Sequence, residues 1–218
     1  QFDLMGTEHR RQLEQLRSLQ LDDSDSAFAI TWFEAVEYCR WLTRQQGLPD
    51  SEQCYTVETP LDSESRERSG QFDIELSRRG FRLLTEAEWE YACRCGTTTP
   101  YSFGSDPTLL EKYGWFLLNA KDGSYASGRL RPNRRGLFDL HGGIWEWCHD
   151  VYAEYPTTGR APRWSVGRAN YDPQGPASGS ERVARGGAWY CVSGSCRSAV
   201  RNRVEPADRK SSIGFRLA

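Results

Sequence analysis

The chain has 218 residues, of which 38% are hydrophobic and 12% aromatic, and its formal net charge is -2 at pH 7. This apolar content supports one sizeable core and is too high for a disordered chain, so we expect a single domain over residues 1–218. The charge balance provides no basic field for a nucleic acid. No run of 18 apolar residues occurs, so we expect no membrane insertion either.

The cysteines are few and odd in number for a chain of this length. Seven are present, which is not the pattern of a disulfide scaffold and favours a reducing compartment. The first residues also lack the basic and apolar pattern of a secretory signal. We therefore expect a cytoplasmic protein.

Two sequence signatures predict helix starts. Thr-x-x-Glu occurs at 31–34 and again at 85–88, and in this capping box the Thr and Glu side chains satisfy free amide groups at a helix N-terminus. The first helix is expected to end at Gly47 and the second to cover 86 to 93 or 94. Leucines at helical spacing predict a further amphipathic helix over 7–20.

Strand signals are short and lie mostly in the second half of the chain. Aromatic alternation over 144–148 predicts the best strand, with Trp145 and Trp147 in the core. A period of two after Val200 predicts an extended segment in which Arg201 and Arg203 form one face and pair with acidic residues. Residues 213–217 are expected to close the fold as an apolar strand. With long aperiodic loops between these elements, the fold class is α+β, with few helices and short antiparallel strands.

Four segments, kept in order, carry a family resemblance. They are ITWFEAVEYCRWL at 30–42, GFRLLTEAEWEYACRCG at 80–96, GLFDLHGGIWEWC at 136–148, and RVARGGAW at 182–189 with a terminal IGFRLA. Together they resemble the formylglycine-generating-enzyme/sulfatase-modifying-factor domain family. The resemblance implies a C-type-lectin-like fold. Because this family contains several functions, the fold does not decide the activity.

The C-terminal region most resembles the variable proteins of diversity-generating retroelements. A fixed frame is formed by Arg-Gly-Gly at 185–187, Cys-Arg-Ser-Ala at 196–199, Arg-Asn-Arg at 201–203 and Gly-Phe-Arg at 214–216. The resemblance implies a rewritten region over about 186–213 that binds a protein or another macromolecule without catalysis or a cofactor. The expected ligand-binding residues are Trp189, Tyr190, Cys191, Val192, Ser193, Gly194, Ser195, Val200, Val204, Lys210, Ser211 and Ser212.

A second interpretation follows the catalytic branch of the same family. Cys191 and Cys196 are five positions apart, the spacing that the resemblance associates with a copper-dependent oxidase that converts a peptide cysteine to formylglycine. Two thiolates suit Cu(I), which is a soft ion. However, Cys196 leads directly into Arg-Ser-Ala, where the catalytic branch has a Tyr/Arg-rich segment.

Two further possibilities come from the same resemblance. One is an adaptor or sensor domain of a larger signalling protein. The other is structural calcium, which relatives carry near the positions of Asn119, Asp122 and Glu146. Relatives have Asn where this chain has Gly143, so one oxygen ligand is missing, and we expect no bound metal.

Overall fold

Both predicted helices begin at their capping boxes. In the computed structural model, which describes residues 27–56, 72–120, 126–155 and 173–218, helix α1 covers Trp32–Gln45 and helix α2 covers Glu86–Arg94. In each box the Thr hydroxyl accepts a hydrogen bond of 3.2 Å from the amide of the Glu three residues later. Gly47, with φ 72°, follows the end of α1 as predicted. The helix predicted over 7–20 lies outside the described residues.

The described strands form two sheets. Strands β1 (Tyr55–Thr56) and β2 (Asp73–Ile74) pair antiparallel. The larger sheet contains β3 (Trp145–Val151), β4 (Arg182–Arg185), β5 (Arg201–Val204) and β6 (Ile213–Phe215), in the order β5-β4-β3-β6.

The prediction of antiparallel strands is wrong at one edge of this sheet. Strand β6 runs parallel to β3, and Trp145 pairs with Ile213. After β5 the chain crosses from one edge of the sheet to the other, and it therefore enters its last strand in the direction of β3. The α+β class with few helices and a sheet of short strands is confirmed.

The central strand and the first helix both contribute large buried side chains to the core. Every residue of β3 is buried, and Trp147 donates from its indole to the carbonyl of Ile30 at 2.8 Å. The Trp32 indole donates in the same way to the Cys148 carbonyl at 2.9 Å, which satisfies a polar group deep in an apolar core. The predicted core role of Trp145 and Trp147 is thus confirmed. In the described ranges, no helix has the length and apolar composition needed to cross a bilayer.

Candidate functional site: the C-terminal loop face

A crossing of backbone segments supports the loop of residues 186–200 between β4 and β5, which we call the C-terminal loop. We call the glycines at this crossing, residues 114, 142, 143, 186 and 187, the glycine junction. Here the Gly142 amide donates to the Gly186 carbonyl at 2.8 Å, and the Gly143 amide donates to the Trp115 carbonyl at 2.7 Å. At Gly114 and Gly142 glycine is required because the segments touch: a Cβ at Gly114 would lie 1.6 Å from the His141 carbonyl oxygen, and one at Gly142 would lie 2.2 Å from the Trp115 carbonyl oxygen. The junction therefore fixes where the loop leaves the sheet.

Residues outside the loop also hold its main chain. The Trp189 amide donates to the Gly143 carbonyl at 2.8 Å, and the Leu117 amide donates to the Cys191 carbonyl at 3.0 Å. A short 3-10 helix covers Ser193–Cys196, and the Tyr101 hydroxyl donates to the Ser193 carbonyl at 2.9 Å. These bonds satisfy the backbone without using the loop's side chains, so the side chains can change without loss of the backbone contacts.

Most of the predicted ligand-binding residues lie at the surface. Tyr190 is 46% exposed and Val192 is 58% exposed. Gly194, Lys210 and Ser211 are also exposed. The partly exposed members of the set are Trp189, Ser193, Ser195 and Val200.

For three members of the set the predicted exposure is wrong. Cys191, Val204 and Ser212 are buried at 8%, 3% and 7% exposure. Cys191 and Val204 pack into the main hydrophobic core, and Val204 pairs with Arg182 in the sheet. Ser212 accepts from the Trp145 amide through its carbonyl at 2.8 Å as the chain enters β6. These three residues support the fold and do not form the face.

Two exposed leucines, which the sequence analysis did not indicate, lie next to these residues. Leu117 is 52% exposed and Leu118 is 76% exposed. The hydrogen bond from the Leu117 amide to the Cys191 carbonyl places them beside the loop. They lie in an aperiodic segment, which gives no sequence signal for exposure. We call these two leucines, together with the exposed Tyr190 and Val192, the loop face. Exposed apolar clusters of this kind are typical of interaction sites.

The side chain of Tyr190 contacts two tryptophans. Its ring contacts Trp189 edge to face, with centroids 5.4 Å apart. Its hydroxyl accepts from the Trp145 indole at 3.2 Å. A rigid, half-exposed tyrosine provides contact area at little entropic cost, which is the property of a binding anchor.

His141 links the loop to the rest of the core. Its Nε2 accepts from the Ser102 amide at 3.1 Å, which leaves Nδ1 to donate to the Cys196 carbonyl at 2.8 Å. Burial lowers the pKa of His141 to about 4, so the ring is neutral at pH 7. His141 is therefore a buried structural residue.

The arginines predicted to stabilise the scaffold do pair with acidic residues. Arg201 binds both carboxylate oxygens of Glu86, at 2.5 and 2.7 Å. Arg203 lies 3.8 Å from a carboxylate oxygen of Glu181. The prediction is confirmed. The ion pair between Arg201 and Glu86 joins β5 to the N-terminus of α2.

Cys191 and Cys196 are close enough for a charge on Cys191 to affect the pKa of Cys196. Burial raises the pKa of Cys196 to about 12 and also raises that of Cys191. Both thiols are therefore protonated at neutral pH. Two sulfurs are still the donor type that Cu(I) prefers, so the donor set fits copper on the condition that both protons are lost.

The side chains considered for calcium have protein partners. Asn119 accepts from the Phe116 amide at 2.8 Å, and Glu146 binds Arg216 at 2.7 and 3.0 Å. Asp122 lies outside the described residues. Within the described ranges, no three His, Cys, Asp or Glu side chains converge on a possible metal position.

The two helices and the mixed sheet of short strands define an α+β protein with a C-type-lectin-like fold. Residues 2–218 match the sulfatase-modifying factor enzyme 1-like domain family, and the chain belongs to this family.

Three comparisons illustrate the range of its relatives. The chain is 36% identical over 159 residues to the formylglycine-generating enzyme of Streptomyces coelicolor, covering 64% of this chain and 46% of the relative. It is 37% identical over 142 residues to serine/threonine-protein kinase pkn1 of Chlamydia pneumoniae, covering 64% and 21%. Its fold matches Treponema denticola variable protein 1 with a TM-score of 0.74 and 30% identity, covering 88% of this chain and 69% of that one. The chain thus spans less than half of the two curated relatives, and it resembles a retroelement variable protein.

Proposed function

We propose that this protein is a non-catalytic ligand-binding protein whose C-terminal loop is diversified by a retroelement. The ligand is a protein or another macromolecule, bound by the loop face. One observation carries the proposal: the loop's main chain is held by residues outside the loop, while Tyr190 and Val192 present their side chains to solvent. The resemblance in fold to a variable protein supports it.

The energetics suit a surface that changes in sequence. Exposed side chains contribute little to folding, and substitutions there usually change stability by at most about 0.5 kcal/mol. Their contribution comes instead through contact with a partner, where aromatic residues dominate. Leu117 and Leu118 lie outside the rewritten region, so they would give every variant a constant apolar contact.

Replacement of Val192, Ser193 and Ser195 together by other polar and apolar residues is expected to leave the protein folded. The free energy of unfolding, from urea titration, should change by about 1 kcal/mol or less. Val204→Asp is the matched control within the same region. It places a charge in the core and should cost more than about 3 kcal/mol. Equal losses for the two variants would contradict a tolerant binding face.

The gene itself gives the decisive test of diversification. We expect a near-identical copy of the DNA for residues 186–213 close to a reverse transcriptase gene. The two copies should differ at adenines of the template, and the differences should fall in codons for exposed loop residues. A locus without such a copy would overturn the retroelement part of the proposal.

A copper-dependent formylglycine-generating oxidase is the second candidate, favoured by the neighbouring Cys191 and Cys196 and by the identity to the Streptomyces coelicolor enzyme. Those two residues would hold the ion as thiolates, and bound copper would supply oxygen chemistry for oxidation of a peptide cysteine. Copper binding there would release both thiol protons, which burial holds tightly in the metal-free protein.

Titration of the reduced protein with Cu(I) separates the two candidates. As a binding protein, it should show no tight one-to-one site that depends on both thiols. Because Cys196 is fully buried, Cys196→Ser should destabilise the fold. Stoichiometric binding lost in both Cys191→Ser and Cys196→Ser, with oxygen uptake on a cysteine peptide, would instead establish the oxidase.

A third role is compatible with the first. The resemblance to kinase pkn1 of Chlamydia pneumoniae covers only 21% of that protein. A chain of this family would in that case act as the adaptor or sensor domain of a larger signalling protein, and the loop face would still be its recognition surface.

A further inference from the structure

An open pocket of about 460 Å³ lies beside strand β3, around Glu146. Its walls include Trp115, Phe138 and Ile144, together with the ion pair between Glu146 and Arg216. The described residues that line it include none from 189 to 212. The pocket is therefore a separate feature from the loop face.

Glycines leave the pocket open. Gly128, Gly136 and Gly143 line it and have φ values of 73°, 80° and 80°, a backbone region that few side chains tolerate. A Cβ at any of the three would meet no atom within 4 Å. The glycines are thus not there to avoid a close contact with another chain segment, and the space in front of them stays free.

Asp139 provides an unused acceptor in this pocket. Its Oδ2 accepts from the Gly128 amide at 2.7 Å. Its Oδ1 is buried and has no hydrogen-bond donor in the described parts of the chain. Buried carboxylate oxygens are nearly always paired in folded proteins, so this atom requires an explanation.

The neighbouring charges do not satisfy this oxygen. Arg216 donates to both oxygens of Glu146 and to the Phe138 carbonyl at 2.9 Å. Glu146 also accepts from the Trp89 indole at 2.7 Å. The two carboxylates and one guanidinium give the pocket a net negative charge, and the open acceptor belongs to Asp139.

We propose that this pocket binds a small aromatic amine. The ammonium group would donate to Asp139 Oδ1, and the ring would pack on Trp115 and Phe138. Charge-assisted hydrogen bonds of this kind are short and strong, and aromatic walls attract organic cations. A divalent metal fits less well, because Ca²⁺ takes six or more oxygen ligands, whereas here Glu146 is paired and one carboxylate oxygen is open.

The test uses phenethylamine as the probe and phenethyl alcohol, of similar shape without the charge, as its control. Titration is followed through the amide NMR signals of Gly128, Gly136 and Gly143. We expect the amine to shift these signals and the alcohol to bind at least about tenfold more weakly. Asp139→Asn keeps an acceptor for the Gly128 amide but loses the charge, and it should weaken amine binding by a similar factor.

Two further variants keep the test decisive. Gly143→Asn is compatible with a left-handed backbone and would place a side chain in the open space, so it should also reduce amine binding if Asp139→Asn does not fold. Tyr190→Ala should leave amine binding unchanged, which separates this site from the loop face. The proposal is overturned if the amine shifts none of these signals, if the alcohol binds as well, if Asp139→Asn binds the amine equally, or if only calcium shifts the signals.

Discussion

Gly114→Ala is expected to be among the most damaging single substitutions in this protein. The new Cβ would lie 1.6 Å from the His141 carbonyl oxygen and 2.7 Å from its carbon. Both atoms belong to the backbone just before β3, so they cannot rotate away as a side chain would. Overpacking in a core costs about 1–3 kcal/mol when neighbours adjust; here we expect more than about 3 kcal/mol, measured as the loss in free energy of unfolding by urea.

Gly194→Ala is the matched control for this change. Gly194 lies in the C-terminal loop, where a Cβ would meet no atom within 4 Å, and its φ is outside the left-handed region. The same substitution should therefore change the free energy of unfolding by no more than about 0.5 kcal/mol. Similar losses for Gly114→Ala and Gly194→Ala would mean that the backbone crossing is not as close as the structure places it.

The two glycine substitutions should also differ in their effect on ligand binding. The glycine junction sets the position of Trp189 through the Gly143 carbonyl. A destabilising change at Gly114 should therefore disturb the loop face as well as the fold. A change at Gly194 should affect only the affinity for the ligand. In a variable surface, the residues that position the loop must differ from the residues that contact the ligand.

Local signals predicted the local structure correctly. A capping box acts within four residues, so Thr31 and Thr85 were enough to place the start of both helices. The aromatic alternation at Trp145 and Trp147 likewise reflects burial within one strand. The parallel pairing of β6 depends on which edge of the sheet the chain reaches after β5, and no local pattern records that choice.

The candidate site was predicted less completely, for a similar reason. A period of two separates two faces of an extended segment but does not say which face is inside, so Val204 was assigned to the surface although it is buried. Leu117 and Leu118 reach the loop face only through tertiary packing. The unpaired oxygen of Asp139 becomes visible only once its neighbours are in place.

The scaffold beneath β5 depends on a buried ionic network centred on Arg185. This side chain is fully buried, and it donates to Glu90 and to the Val200 carbonyl. Its guanidinium also lies 3.5 Å from Glu86, which binds Arg201 in turn. The network therefore joins helix α2 to strands β4 and β5, on either side of the loop that forms the proposed binding surface.

Arg185→Ala is expected to cost about 3–5 kcal/mol in the free energy of unfolding, because it removes a buried charge from the network and leaves Glu90 Oε2 and the Val200 carbonyl without their donor. Arg203→Ala is the matched control, since the Arg203 side chain is 60% exposed and lies 3.8 Å from Glu181. Exposed pairs contribute about 0–1 kcal/mol, so its urea midpoint should barely move. If the two variants unfolded alike, the buried network would contribute no more than a surface pair, and the position of the loop face would not depend on Arg185.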